Sequence, residues 1–175
     1  MNLRRLVTFI LVSLGIIGID RFTKLLIKTS MTIGESIPVI GGFFRISFIL
    51  NSGIAFGLFD SNTSPAKMPL LVIVSLIALG IILYIFLTLP KEIRLSGVSM
   101  GLIFGGAIGN MIDRILRGMV VDFIDIDFPD IVIPQVGIYM TRFPTFNAAD
   151  SSVFIGIIML LVIIIIQGGK AEGRT

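Results

Sequence analysis

The sequence predicts an α-helical integral membrane protein, in which four transmembrane helices carry a small extracytoplasmic β-strand element. Three observations lead there. Of 175 residues, 55% are hydrophobic and only 14% charged, and the mean hydropathy of +1.04 is far above that of a soluble domain of this size. The apolar residues gather in four stretches close to the roughly 20 residues that a helix needs to cross a bilayer. Between the first two stretches the pattern changes from helical to alternating, the period of a strand.

The first span, about residues 6–27, follows Arg4 and Arg5 and has no small-residue cleavage site after its apolar core, so it reads as an uncleaved helix. Asp20 and Lys24 are four residues apart and share a helix face. A snorkelling ion pair that locks the helix end is at least as strong a reading as a catalytic one. Residues 28–67 form an extracytoplasmic segment, with strands at 37–40 and 43–51 around Gly41-Gly42. Asn51-Ser52-Gly53 follows; Asn51 offers both a donor and an acceptor, and Gly53 permits close backbone approach.

Pro69 suits the start and Pro90 the end of the second span, about 68–89. The third, about 95–116, carries Gly101, Gly105, Gly106 and Gly109 at spacings that mark close helix contact in a membrane. At its end Asn110 and Asp113 share a face, with Arg114 beside them. Residues 117–150 form the second extracytoplasmic segment, in which Asp125, Asp127 and Asp130 read as solvated loop charges. The fourth span is about 151–168, with Asp150 at the N-cap position and Asn147 three residues earlier. Residues 1–175 thus make a single membrane domain.

The net charge of +3 is small. Its basic residues include Arg4, Arg5, Lys91, Arg94, Lys170 and Arg174, which places both termini in the cytoplasm and argues against nucleic acid as a partner. Asp20, Asn51, Asn110, Arg114, Asp122, Asn147 and Asp150 then collect at the outer ends of the spans. The chain has no cysteine and no histidine, which excludes Ser-His-Asp and Cys-His nucleophiles and histidine or thiolate metal sites. A carboxylate pair or a Ser-Lys pair remains, and no serine is clearly poised beside Lys24. Asp122 and Asp150 are therefore the candidate chemistry: an ionisable group at the edge of lipid is a functional candidate, and two close aspartates tend to share one proton. The alternative is a small four-helix ion or proton transporter using Asp20, Asp113 and the same pair, though the inner halves of the spans offer almost no polar path. A purely structural subunit would leave the clustered Asn and Asp residues without a reason.

Five pieces stand in register: Asp20 with Lys24, Asn51-Ser52-Gly53-Ile54-Ala55-Phe56, Gly109-Asn110-Met111-Ile112-Asp113-Arg114, Val120-Val121-Asp122-Phe123-Ile124, and Phe146-Asn147-Ala148-Ala149-Asp150. With these, nearly the whole chain resembles the lipoprotein signal peptidase (signal peptidase II) family, the membrane aspartyl proteases of bacteria. The resemblance implies an aspartic endopeptidase that removes the signal peptide from diacylglyceryl-modified prolipoproteins, cutting before the lipidated cysteine. It implies Asp122 and Asp150 as the catalytic dyad, Asn51, Gly53, Asn110, Arg114 and Asn147 lining the site, and Asp20 and Asp113 supporting it, with no metal or organic cofactor. The expected partners are the prolipoprotein and membrane lipids. The expected state is a monomer in the bacterial cytoplasmic (inner) membrane, with the active site near the outer leaflet. Ile54 departs from the smaller residue frequent in the family, and residues 125–142 form a longer, more apolar link than usual.

Overall fold

The computed structural model describes residues 3–52, 67–89, 95–127, 130–133, 138–140 and 142–172. In chain order they form α1 (Leu3–Ser30), β1 (Ser36–Ile40), β2 (Phe44–Asn51), α2 (Lys67–Thr88), α3 (Ser96–Arg117), β3 (Val120–Ile126), β4 (Ile131–Ile133), β5 (Ile138–Met140) and α4 (Ala148–Glu172). The expected four helices and small β element are both present. Among the described residues, α1, α2 and α4 are long and apolar enough to cross a membrane. α3 packs against all three of them and buries Ser96, Ser99, Asn110, Asp113 and several glycines. Its composition is set by helix neighbours more than by lipid.

Glycines let those helices close. An ideal Cβ on Gly97, Gly101 or Gly105 would lie 2.8, 2.9 or 2.8 Å from the main-chain oxygens of Arg5, Phe9 and Ser13 on α1. On another face of α3, a Cβ at Gly106 would run into Ala149 and Ser152 of α4. The glycine spacing in the sequence is therefore a packing code, because in lipid the contact itself must supply the attraction. Phe9, Phe86, Met100 and Ile103 fill the bundle beside this contact, with the rings of Phe9 and Phe86 stacked at 4.3 Å. Arg5, expected as a simple topology charge, is buried here. Its Nη1 donates to Leu89 O at 2.9 Å, its Nη2 donates to Phe86 O, and its guanidinium lies 4.5 Å from the Phe86 ring centre. It thus satisfies carbonyls that the end of α2 would otherwise leave open.

At the other end of the bundle, β1, β2 and β3 form an antiparallel sheet in that order. The sequence reading anticipates β1 and β2 but leaves residues 120–126 in a loop. Val120-Val121 and Phe123-Ile124 flanking Asp122 form a strand because a long-range partner is available: Ile49 pairs with Asp122 and Asn51 with Val120. Ile27 of α1 packs with Phe48, Val121 and Phe123 and joins the sheet to the bundle. Gly118 makes the turn from α3 into β3 with φ of 76°, its N–H donating to Arg114 O. A side chain there would be strained, and two residues suffice to reverse the chain. Within the long link, β4 and β5 pair as a separate antiparallel hairpin.

Candidate active site

The site forms where α1, α3, β3 and the start of α4 meet. The approach of Asp150 to Asp122 is fixed by main chain. Phe146 forms a bridge with Ile124, and Phe123 N and Ile124 N both donate to Phe146 O, at 3.0 and 2.8 Å. The next residue, Asn147, immediately precedes α4. Its Oδ1 accepts from Asp150 N at 3.0 Å, and Asp150 Oδ2 accepts from Asn147 N at 3.2 Å. This is a reciprocal capping box. It corrects the expectation for Asp150, which lies in the first turn of the helix while Asn147 is the N-cap. The reason is local: Asn caps as well as Asp does, and Ala148-Ala149 already have helical geometry.

The two aspartates are linked by amides. Asn147 Nδ2 donates to Asp122 Oδ1 at 2.7 Å and to Asn110 Oδ1 at 3.1 Å, and Asn110 Nδ2 donates to Asp150 Oδ1 at 2.7 Å. Asn51 Nδ2 completes Asp122 by donating to Oδ2 at 2.9 Å. Asn51 reaches it diagonally across the β2–β3 pair, two residues from the position opposite Asp122. Burial pushes the Asp122 carboxyl up to about 6; the Asn51 amide opposes that shift and the charge of Asp150 adds to it. Asp122 is only 2% exposed, so an unneutralised carboxylate there is held at a cost in solvation.

Behind the amides lies an ion cluster. Lys24 Nζ stands 2.9 Å from Asp20 Oδ1, 2.9 Å from Asp113 Oδ2 and 2.9 Å from Asn110 Oδ1. Lys24 is 1% exposed, and Asp20 and Asp113 are fully buried. Arg21 adds contacts to Asp20 at 3.1 Å and Asp113 at 2.8 Å, and Arg117 reaches Asp113 at 3.0 Å. Asp20 Oδ1 also accepts from Ala149 N at 3.3 Å, which ties α1 to the first turn of α4. Lys24 does not snorkel: partners from two helices hold it inside. Arg21 does not stand among the candidate site residues read from sequence, and Lys24 enters there only as the partner of Asp20. The available signal was a lysine and an aspartate inside one apolar run with a second aspartate ending another.

Of the other candidates, Asn51, Asn110, Asp113 and Asn147 join the network as described. Arg114 lies within electrostatic reach of Asp150, Asp122 and Asp113 and lines a groove of about 460 Å³ with Met68, Pro69, Val72, Ile73 and Ile115. Gly53 lies outside the described residues. Asp125 departs from the solvated-loop expectation. It is buried on β3, where Ser47 donates to its Oδ2 at 3.0 Å and Arg142 Nε to its Oδ1 at 2.9 Å. An extra residue in β2 between Ile46 and Ile49 lets that strand serve Asp125 and Asp122 in turn. Asp127 is half-buried at 3.4 Å from Arg142, and Asp130 is exposed as expected.

Residues 12–166 match the family described as signal peptidase (SPase) II. The chain is 42% identical over 165 residues to a lipoprotein signal peptidase of Shouchella clausii, covering 94% of this chain and 97% of that one. It is 39% identical over 161 residues to a lipoprotein signal peptidase of Desulforapulum autotrophicum, covering 92% and 93%. Among solved structures, a bacterial membrane enzyme obtained by the in meso method superposes with a TM-score of 0.75 at 36% identity, covering 93% of this chain and 90% of that one. A family match over most of the chain, relatives of matching length, and a buried aspartate pair at the mouth of a helical bundle agree: this chain belongs to the signal peptidase II family of lipoprotein signal peptidases, which are aspartic peptidases.

Proposed function

We propose that Asp122 and Asp150 are the catalytic dyad and that they cleave diacylglyceryl-modified prolipoproteins on the amino side of the lipidated cysteine. One observation carries the reading: two aspartates 28 residues apart in sequence, on β3 and α4, are joined through the side chains of Asn147 and Asn110. Each amide turns its NH₂ toward a carboxylate, while the Asn51 amide and the Asn147 N–H hold the second oxygen of Asp122 and of Asp150; an aspartate pair oriented in this way would share one proton and one water. The ionised partner takes a proton from the water as its oxygen attacks the scissile carbonyl. The protonated partner donates to the carbonyl oxygen. Collapse of the tetrahedral intermediate breaks the C–N bond, and a carboxylic acid protonates the departing amine, which becomes the new N-terminus on the lipidated cysteine.

Arg114 would hold a substrate carbonyl, because a guanidinium lining an otherwise apolar groove offers planar donors there. The same groove suits an acyl chain of the substrate. The distribution of Lys and Arg supports an active site at the outer leaflet of the cytoplasmic membrane with both termini inside, and reporter fusions near Asn62 and after Lys170 test that. A transporter would need a polar file along the bundle, whereas Phe9, Phe86, Met100 and Ile103 pack the opposite half.

The test is cleavage of a purified lipidated prolipoprotein by Asp122→Asn and Asp150→Asn. Asn at 150 still offers an oxygen to Asn147 N, so capping survives while titration does not. Either change is expected to lower the rate by about 10²–10⁴-fold or more with insertion intact. The parent should show a bell-shaped pH profile that belongs to the pair. Either variant cleaving at a rate comparable to the parent overturns the assignment.

A further inference from the structure

We infer that Lys24 is a positioning residue for the reaction: its buried ammonium sets which way the Asn110 amide points, and thereby holds both aspartates in register. The inference rests on the dyad reading above and extends it to the first helix.

An ammonium has three protons and no acceptor, and here it has three oxygens at 2.9 Å, from Asp20, Asp113 and Asn110. The third contact is the informative one. An Asn side chain can be turned end for end with little change of shape, but only one orientation places its oxygen on Lys24. In that orientation Asn110 Nδ2 must face Asp150 Oδ1, at 2.7 Å, and Asn110 Oδ1 also receives Asn147 Nδ2, at 3.1 Å. Asn147 is set from its other end, since its Oδ1 accepts from Asp150 N; its NH₂ is left for Asp122 and Asn110. The donor direction therefore runs from Lys24 through Asn110 to Asp150, and from the start of α4 through Asn147 to Asp122. Without a cation at position 24, a turned Asn110 would put its oxygen against the Asp150 carboxylate, which two acceptors cannot satisfy unless Asp150 is protonated.

The second route is through Asp20. Lys24 fixes Asp20 Oδ1, and the same oxygen accepts from Ala149 N, one residue before Asp150. The charged and titratable groups around Lys24 and the dyad are Asp20, Arg21, Lys24 and Lys28 from α1 and Asp113, Arg114 and Arg117 from α3, with Asp122 on β3 and Asp150 on α4. Of the cations named, Lys24 is the one that donates to a side-chain amide touching a dyad carboxylate.

The experiment compares the parent, Lys24→Met and the charge-balanced pair Lys24→Met/Asp20→Asn, with Asp122→Asn run alongside. The substrate is a purified lipidated prolipoprotein in detergent micelles, and kcat, KM, the pH profile and Tm are read for each. Lys24→Met leaves a buried carboxylate short of a partner and can fail to fold. The pair removes that problem while Asn at 20 keeps an acceptor for Ala149 N. Expected for the folded pair is a fall in kcat of about 10²-fold with KM little changed, and a pH profile displaced from that of the parent, because the Lys24 charge that acts on both aspartates is gone and Asn110 is no longer held. A purely structural role predicts lower Tm with an unmoved profile. The inference is overturned if the folded pair keeps the parental kcat or the parental pH profile while Asp122→Asn is inactive. If Asp122→Asn itself cleaves normally, the dyad reading fails instead.

Discussion

Along one face of α3, Gly97, Gly101 and Gly105 press against the main chain of α1, whereas Gly109, one turn further on, presses against a carboxylate. A Cβ at 109 would lie 2.7 Å from Asp20 Oδ2. The spacing of four is unbroken, but the missing side chain has two uses. In the apolar half it allows backbones to approach and gain dispersion contact where lipid offers no competing hydrophobic drive. At the polar end it opens room for an ion inside the bundle. A single helix face thus provides both the packing and the space for the site, and substitutions along it should separate stability from activity.

Along this glycine face the largest effect is expected at Gly109→Ala. Asp20 cannot simply turn away, because Lys24, Arg21 and Ala149 N hold its two oxygens. The added methyl should displace the cluster and lower kcat by about 10²-fold, more than the change in thermal midpoint would suggest; kcat and Tm measured on one preparation check this.

A pH titration sharpens the comparison from the polar side. The Asp122 carboxyl is raised from 3.8 to about 6, so it favours folding below the unfolded value and loses that contribution as pH rises through about 6. Asp122→Asn does not titrate. Its stability relative to the parent should therefore improve by up to about 3 kcal/mol between pH 4 and pH 8, read as Tm or chemical denaturation in detergent. A difference that stays flat with pH would show that Asp122 is not desolvated.

Gly101→Ala is the matching change in the apolar half. Its Cβ meets Phe9 O and the Val12 Cβ, each at 2.9 Å, so the helices must part, at a cost of about 1–3 kcal/mol. Activity per folded molecule should stay near that of the parent. The smallest effect is expected for Arg117→Ala. That residue is 43% exposed on its side chain and pairs with Asp113 at i,i+4, while Arg21 and Lys24 remain on the same carboxylate. Such pairs contribute about 0.3–0.5 kcal/mol, and a Tm shift well above that would assign Arg117 a larger part in holding Asp113.

The residues that meet in the site were mostly legible in the sequence. Asp20, Asn51, Asn110, Asp113, Asp122, Asn147 and Asp150 stand out because polar groups at span ends are rare and fall on one side of the membrane pattern. Helix number and the glycine contact were legible for the same reason: hydropathy and spacing are local properties. What stayed hidden depends on partners distant in sequence. β3 is a strand because β2 lies beside it, and Asp125 is buried because Arg142 and Ser47 reach it from elsewhere. Lys24 reads as half of an i,i+4 pair until Asn110 and Asp113, 86 and 89 residues later, are brought against it.

The capping box at the start of α4 has a spectroscopic consequence. Asp150 Oδ2 accepts the Asn147 N–H, so that amide proton sits on the very carboxyl proposed to change protonation during turnover. Protonating Asp150 weakens the acceptor and loosens the first turn of the helix. In an isotope-labelled sample, the chemical shift and exchange rate of the Asn147 amide should therefore track the state of the dyad. The helix start doubles as an internal pH electrode, readable without substrate and without adding a probe.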